Sequence, residues 1–348
     1  MKKLKLEWLK AFRAPLIAVT IGLFFGGVVM AFSGTNPITG IIALLKGGYG
    51  STYALVTTLT RATPILFAAL AASLAWGSGY SSMGAGGQMV LGALVCAIIA
   101  PLVPGPGWLV CLVSIAAAVL TGMAWSLLSA YISERFATSL LIITLMCNYL
   151  ADGIASYFTT YVFKDPFGVD ASAIQTQKLT VGVLPKLIGT YSLHTGFLLA
   201  LLAAVLLWFV SRKTRFGYQA KMNGLNVNFA RYGGVPSVKM MLLTLLICGG
   251  IAGLGGAIEV LGTRLRYVDG MITSPGYAWS GIIASLMAGN HPIGAIISSI
   301  FLAGLTTGGA TVERQLGVAS EVTLIIQGII TLLITAQLVI KWKKGEKS

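Results

Sequence analysis

The chain has 348 residues, of which 56% are hydrophobic and only 10% are charged. A soluble protein carries about 25% charged residues, so this composition excludes an ordinary soluble domain and favours a protein whose surface faces lipid. The formal net charge is +14, but the basic residues lie near the two ends of the chain and in one central segment. Apolar runs separate these clusters, which excludes a basic groove for nucleic acid.

Ten apolar stretches predict membrane-crossing helices, each of which needs about 20 residues. They are 15–32, 54–75, 88–103, 109–130, 139–163, 192–210, 241–262, 279–290, 293–310 and 322–340. The stretch 279–290 is too short to span alone. The sequence therefore predicts an all-α, polytopic membrane helix bundle of about ten transmembrane helices, forming one domain over residues 1–348.

The basic residues also predict how the bundle is oriented, because loops rich in Lys and Arg stay on the cytoplasmic side. Most of these residues fall on the cytoplasmic side when the basic N-terminus is placed there. Both termini are then cytoplasmic, and so is the loop at about 211–240. The loop at about 164–191, which contains Pro166, Gly168 and Pro185, is external and is expected to form an ordered cap.

Two interrupted stretches suggest that the bundle consists of two inverted-repeat halves. Residues 83–93 read MGAGGQMVLGA and residues 287–295 read MAGNHPIGA, and an apolar run follows each. Backbone that leaves a helix within the membrane must line protein or water, so matching interruptions point to a transport pathway. Chance similarity between membrane helices rich in Gly and Ala is an equally weighted alternative.

The chain carries no motif for catalysis. It lacks the ATP-binding pattern G-x-x-x-x-G-K-[ST] and the hydrolase patterns H-E-x-x-H and G-x-S-x-G. Its two histidines, His194 and His291, lie near the ends of predicted helices and are expected to have no catalytic or metal-binding role. The sequence therefore predicts that the chain is not an enzyme and binds no metal or cofactor itself.

Ionisable residues are rare in the predicted spans, which contain Arg61, Asp152 and Glu259. An ion-coupled secondary transporter usually needs more, so this class ranks second. Asp152 follows Asn148 by four residues and therefore shares its helix face. The pair either lines a polar pathway or bonds to a neighbouring helix, and the sequence leaves both possibilities open.

The central basic segment reads TRFGYQAKMNGLNVNFARYGGVPSVK from Thr214 to Lys239. Asn226 is a suitable cap for a short helix from Val227 to about Tyr232, and the pair Gly233-Gly234 ends it. A short cytoplasmic helix of this kind either docks on another protein or lies on the lipid surface. Its sequence alone does not separate the two.

Three stretches of this segment carry a recognisable pattern: Thr214-x-Phe216-Gly217, Ala220-Lys221-x-Asn223-Gly224-x-Asn226 and Ala230-Arg231-Tyr232-Gly233-Gly234-Val235. The pattern resembles the coupling loop of permeases in the family of sugar, nucleoside and branched-chain amino acid ABC importers. In that family the loop inserts into the ATP-binding subunit and transmits nucleotide-driven closure to the membrane helices. The residues expected to couple to the ATPase are Thr214, Phe216, Gly217, Lys221, Asn223, Gly224, Asn226, Ala230, Arg231, Tyr232 and Gly233.

Other parts of the chain resemble the same family. They are Met83-Gly84-Ala85-x-Gly87-Gln88-Met89-x-x-Gly92-Ala93, Leu145-Met146-x-Asn148-Tyr149, and Leu184-Pro185-x-Leu187 with His194-x-Gly196. The last pair is similar to the nucleoside-type branch, and the length and motifs resemble the larger of its two permeases. The sequence departs from the family at Ser82, where asparagine is common, and at Gly86, where glutamate is common. These departures leave the substrate less certain than the architecture.

The resemblance implies a permease that forms half of a translocation path for a small polar solute, with nucleosides favoured and sugars as the alternative. Its expected location is the bacterial cell membrane. Expected partners are a second permease subunit in a heterodimer, two cytoplasmic ATP-binding subunits that hold ATP and Mg²⁺, and an extracellular lipoprotein or periplasmic substrate-binding protein. The residues expected to line the substrate pathway are Ser82, Gln88, Asn148 and Asn290.

Overall fold

The computed structural model describes residues 19–32, 34–165, 174–189, 191–318, 321–322 and 324–333. These residues are helical or irregular, with two isolated β-bridges and no β-strand among them. The basic segments at both ends of the chain, together with Pro166 and Gly168, lie outside the described residues. The predicted cytoplasmic location of both termini therefore stays a prediction.

Thirteen helices occur in the described part of the chain. They are α1 Val19–Phe32, α2 Pro37–Tyr49, α3 Thr52–Gly77, α4 Ala85–Ile99, α5 Gly107–Arg135, α6 Leu140–Tyr157, α7 Gly196–Lys213, α8 Arg215–Leu225, α9 Val227–Tyr232, α10 Ser237–Ile258, α11 Tyr277–Met287, α12 Pro292–Leu316 and α13 Leu324–Leu333. Two of them continue as π-helical turns, α6 through Phe158–Val162 and α10 through Glu259–Arg264.

The predicted helical membrane bundle is confirmed. Six of the described helices are long and apolar enough to cross a membrane, and four shorter apolar helices accompany them. These ten helices overlap the ten predicted stretches. Sequence reasoning missed α2 and α8, because α2 has only 13 residues and α8 is short and polar. Both have clear start signals, since Asn36 and Thr214 accept hydrogen bonds from backbone N–H groups in the first turns of α2 and α8.

The chain divides into two compact units, one made of the described residues within 1–61 and 300–348, the other of the described residues within 62–299. In the first unit, α2 approaches residues 300–316 of α12 closely. The Tyr49 hydroxyl donates to the Phe301 carbonyl over 3.0 Å, and the Thr58 hydroxyl donates to the Gly48 carbonyl over 2.8 Å. A single domain over residues 1–348 stays a prediction.

In the second unit, α10 packs against α4 and α5. Small residues allow the backbones to approach closely, as is common between membrane helices. A Cβ atom at Gly92 of α4 would lie only 2.8 Å from the Gly253 Cα atom of α10, and a Cβ atom at Gly122 of α5 would collide with the Gly249 carbonyl. The Ser126 hydroxyl of α5 adds a 2.6 Å hydrogen bond to the Leu245 carbonyl.

The predicted external loop is ordered where the structure describes it. Its backbone lies alongside the π-helical end of α10 and is hydrogen-bonded to it. The Leu179 nitrogen donates to the Leu265 oxygen over 2.7 Å, and the Leu184 nitrogen donates to the Leu261 oxygen over 3.0 Å. Leu179 and Leu184 are buried. These contacts fix residues 174–189 against the chain segment that precedes α11.

Candidate functional site

The central segment folds as a module of two short helices, α8 and α9, followed by the first turn of α10. The Thr214 hydroxyl caps α8 by accepting from the Gly217 nitrogen at 3.2 Å. The Asn226 Oδ1 atom caps α9 by accepting from the Phe229 nitrogen at 3.0 Å, and Gly233 ends that helix. The predicted short helix and both of its end signals are confirmed.

A small apolar core holds this module together. It consists of the buried residues Ala220, Ala230, Val235 and Met240, with Phe216 and Met222 packed against them. Gly217 is required where α8 turns away from α7, because a Cβ atom there would collide with the Val210 and Ser211 carbonyls at the end of α7. The module is therefore a folded unit rather than an extended connector.

The outer surface of the module is apolar and basic. Tyr232 is 94% exposed and Phe229 is 65% exposed, and Leu225 is also largely in solvent. Lys221 and Arg231 are exposed on the same module, and the Arg231 Nε atom donates to the Ser237 hydroxyl over 3.2 Å. A surface that is both apolar and basic is suited to bind another protein or the lipid surface.

The buried side of the module is attached to the segment that joins α3 to α4. The Asn223 side chain is 1% exposed, and its Nδ2 atom donates to the Ser78 carbonyl over 2.8 Å. Gly224 lies against the Gly77 carbonyl, where no Cβ atom would fit. The Tyr80 hydroxyl donates to the Ser237 carbonyl at 3.0 Å, and burial raises the pKa of Tyr80 to about 12, which keeps this donor protonated.

The other end of the α3–α4 segment is held by α6. The Met83 nitrogen donates to the Thr144 hydroxyl over 3.1 Å. The Asn148 amide makes two hydrogen bonds of 2.8 Å, since its Nδ2 atom donates to the Met83 carbonyl and its Oδ1 atom accepts from the Gly87 nitrogen. Asn148 thereby fixes both the end of the segment and the first turn of α4.

A cleft of about 70 Å³ opens beside Asn148, between α6 and the first turns of α4 and α11. The Thr273 hydroxyl donates to the Asp152 Oδ1 atom over 2.8 Å within it. Two helix N-termini, those of α4 and α11, border the cleft, and the positive end of a helix dipole favours acceptor atoms there. The lining residues are Met83, Gly86, Leu145, Asn148, Tyr149, Asp152, Ile272, Thr273, Gly276, Ala278, Trp279 and Ile282.

The four predicted pathway residues are not all in one place. Asn148 lines the cleft, whereas Ser82 and Gln88 are buried near the start of α4 but outside the lining. Asn290 follows the opposite end of α11, where its Oδ1 atom accepts from the Ser285 hydroxyl at 3.0 Å. A Cβ atom at Gly77 would lie 3.8 Å from the Asn290 Cβ atom, which places Asn290 near the α3 end.

Sequence reasoning missed the segment that forms the other wall of the cleft. The helix start that approaches α4 is that of α11, because a Cβ atom at Gly86 would lie 3.5 Å from the Ala278 Cβ atom. The predicted counterpart of 83–93, residues 287–295, begins at the far end of α11. The pair Pro275-Gly276, directly before a short apolar stretch, is the sequence signal that could have located this helix start.

The sequence left two roles open for Asp152, which were lining a polar pathway and bonding to another part of the bundle. Asp152 lines the cleft, and its Oδ1 atom also accepts from the Thr273 hydroxyl, so it makes both kinds of contact.

His194 belongs to a separate buried network below the ordered loop. Its Nδ1 atom accepts from the Gly196 nitrogen at 3.2 Å, so the proton of the neutral ring lies on Nε2, 3.2 Å from the Thr263 hydroxyl. That hydroxyl donates to the Glu259 carboxylate over 3.3 Å, and Glu259 lies 4.0 Å from Arg264. Burial lowers the pKa of His194 to about 4.

The comparisons with known proteins agree with this arrangement. A family model described as branched-chain amino acid transport system / permease component matches residues 54–335. The chain belongs to this family. It is a multi-pass membrane permease, the transmembrane subunit of an ATP-binding cassette importer.

Three relatives of this permease match nearly its whole length. It is 30% identical to the guanosine ABC transporter permease protein NupP of Bacillus subtilis, over 95% of both chains. It is 28% identical to the glucose ABC transporter permease protein TsgB13 of Haloferax volcanii, over 97% of this chain and 90% of the relative. It is 25% identical to the nucleoside ABC transporter permease protein NupB of Lactococcus lactis, over 94% of this chain and 91% of the relative.

Proposed function

We propose that this permease forms half of the membrane path of a nucleoside importer, and that separate cytoplasmic subunits hydrolyse the ATP that drives it. The observation that carries the proposal is the α8–α9 module. Tyr232 and Phe229 project from it, while Asn223 fastens its buried side to the segment leading to the cleft. An ATP-binding subunit that binds the exposed side of the module would therefore be able to change the shape of the cleft.

The cleft of about 70 Å³ is too small to enclose a nucleoside in this state, but the types of residue that line it suit a small polar solute with an aromatic ring. Trp279 and Tyr149 offer ring faces for stacking, and Asn148, Asp152 and Thr273 offer hydrogen-bonding groups. A nucleoside combines a planar base with sugar hydroxyls and matches both sets of groups. The guanosine and nucleoside permeases among the relatives favour the same substrate class, and the glucose permease keeps a simple sugar as the second candidate.

The proposal includes three kinds of partner. Two ATP-binding subunits hold ATP and Mg²⁺, so this chain needs no cofactor and catalyses no reaction itself. A second permease subunit completes the path by covering the outward face of α6, where Tyr149, Tyr157 and Tyr161 are exposed. An extracellular lipoprotein or periplasmic protein delivers the solute, and the importer lies in the bacterial cell membrane with both termini of this chain in the cytoplasm.

Reconstitution of the complete importer tests this function. The permease is purified with the ATP-binding subunits and second permease encoded beside it and placed in liposomes with the binding protein. We expect uptake of radiolabelled guanosine that requires both ATP and the binding protein, and that unlabelled inosine reduces more strongly than glucose does. Stronger competition by glucose would select the sugar importer, and uptake without ATP would contradict the proposal.

A further inference from the structure

The segment between α3 and α4, residues 78–84, is the physical connection between the α8–α9 module and the cleft. We infer that it acts as a strap that sets the position of the α4 first turn according to the position of the module. Asn223 and Asn148 are the positioning residues at its two ends. The inference rests on the proposed function, because it describes how a motion of the module reaches the solute path.

At the first end, the strap is fixed to the module by a buried side chain and by close backbone contact. The Asn223 Nδ2 atom donates to the Ser78 carbonyl over 2.8 Å. Gly79 has a φ of +84°, and a Cβ atom there would lie 3.0 Å from the Gly224 Cα atom. Since glycine stands on both sides, the two backbones lie too close for the module to slide freely past the strap.

The strap itself is too short to absorb a displacement. Its first residues still bond back to α3, with 2.9 Å from the Tyr80 nitrogen to the Ala75 oxygen. The Trp76 indole then donates to the Ser82 carbonyl over 3.0 Å. An extended chain covers at most about 3.6 Å per residue, so the few residues between these fixed points leave little slack.

At the second end, two side chains of α6 hold the strap beside the cleft. Asn148 bonds both the Met83 carbonyl and the Gly87 nitrogen, and the Thr144 hydroxyl accepts from the Met83 nitrogen. Met83 and Gly86 are themselves lining residues of the cleft. A shift of the strap therefore moves residues that line the cleft. If the contact between the strap and Asn148 has two packed arrangements, these are the two discrete states that coupling between the module and the cleft needs.

The first test compares Asn223→Ala with Asn36→Ala in the reconstituted importer. Both variants remove a hydrogen-bonding asparagine, but Asn36 caps α2 and has no contact with the strap segment among its hydrogen bonds. We expect Asn223→Ala to assemble and hydrolyse ATP while the ATP used per guanosine imported rises about fivefold or more, the usual lower range for coupling between sites. Asn36→Ala leaves the ratio unchanged. Uptake and hydrolysis that fall together in Asn223→Ala would overturn the inference.

A matched pair tests the second end. Thr144→Val removes the acceptor for the Met83 nitrogen, while Thr121→Val removes a hydroxyl that bonds only within its own helix, to the Ala117 carbonyl. We expect Thr144→Val to raise the ATP used per guanosine as Asn223→Ala does, and Thr121→Val to leave it unchanged. Equal ratios in the two threonine variants would contradict the assignment of this end.

A readout without ATPase separates this inference from the proposed function. Cys147 is a buried, free thiol on α6, directly before Asn148 in the sequence, so its accessibility reports on opening of this part of α6. In the purified permease, we expect Asn223→Ala, but not Asn36→Ala, to raise the rate at which a maleimide labels Cys147, measured for that peptide by mass spectrometry. Absence of ATP-driven uptake in the wild type would overturn the proposed function alone, whereas an unchanged labelling rate would overturn the strap.

Discussion

The Gly87 backbone nitrogen donates a 2.8 Å hydrogen bond to the Asn148 Oδ1 atom, which joins the first turn of α4 to the middle of α6. The same asparagine holds the Met83 carbonyl. The start of α4 thus depends on one side chain of another helix instead of a cap from its own sequence, since Gly84 at the cap position has no side chain to offer.

The neighbouring glycines of this turn should respond differently to the same small change. A Cβ atom at Gly87 would lie 2.9 Å from the Ala151 Cβ atom and 3.0 Å from the Asn148 Cα atom, whereas one at Gly86 would have no neighbour closer than 3.4 Å. We expect Gly87→Ala to lower the free energy of unfolding by about 1–3 kcal/mol through overpacking. Gly86→Ala is the control and should be neutral or slightly stabilising. Thermal unfolding in detergent measures both, and equal melting temperatures would contradict this prediction.

Removing the charge of Asp152 should change solute handling without changing assembly. Asp152→Asn keeps the shape of the side chain but replaces one acceptor oxygen of the cleft by a donor. We expect about a tenfold or greater rise in the half-saturating guanosine concentration, since a hydrogen bond to a charged group contributes about 1.5–3 kcal/mol. Ser156→Ala, whose hydroxyl bonds Asp269 one turn further along α6, is the control. Unchanged saturation in Asp152→Asn would remove this residue from the solute path.

Truncating the projecting aromatic residue of α9 should weaken binding of the ATP-binding subunit. Phe229→Ala removes a ring that is 65% exposed, and an aromatic anchor at the centre of an interface can contribute about 2 kcal/mol or more. We expect about a 30-fold weaker affinity, measured with purified subunits in detergent. Phe136→Ala is the control, because that ring is 72% exposed at the end of α5. Equal affinities for the two variants would argue against docking through α9.

The buried imidazole of His194 should make the stability of the permease depend on pH. The unfolded chain takes up a proton near the ordinary pKa of 6.5, but burial lowers the pKa of the folded state to about 4. Between these pH values the unfolded state binds more protons at His194 than the folded state does. The contribution of His194 to the free energy of unfolding therefore falls as the pH decreases from about 6.5 to 4, and it is constant above that range. The loss reaches about 3 kcal/mol at the acidic end.

Melting temperatures of wild type and His194→Gln across this range measure the effect. Glutamine keeps a hydrogen-bonding side chain but does not titrate, so its melting temperature should lose this part of the acid dependence. Thr121→Val is the control, because it removes a non-titrating hydroxyl that bonds within its own helix, and it should keep the pH profile of the wild type. Identical pH profiles for wild type and His194→Gln would contradict the prediction.

Much of the fold could be predicted because membrane helices reveal themselves by local composition. The ten apolar stretches and the Asn226 cap of α9 needed only neighbouring residues to recognise. The cleft could not be predicted in this way, because its position depends on which helix start approaches α4. That contact joins Gly86 and Ala278, which are far apart in the sequence. Glycine- and alanine-rich sequence at several helix starts gave no means to choose between 277 and 287. The prediction for Asn290 depends on the similarity between the interrupted stretches 83–93 and 287–295, and such a similarity carries no information on the distance from Asn290 to Asn148.

The exposed ring of Tyr232 has a consequence for how the cell must make this protein. The described residues of this chain leave the Tyr232 ring 94% exposed, so a partner subunit or the lipid surface has to cover it. If the proposed ATP-binding subunit is the partner that covers this ring, a copy synthesised without that subunit would keep the ring exposed and be prone to aggregation or proteolysis. Balanced production of the proposed subunits would then limit the lifetime of unassembled copies.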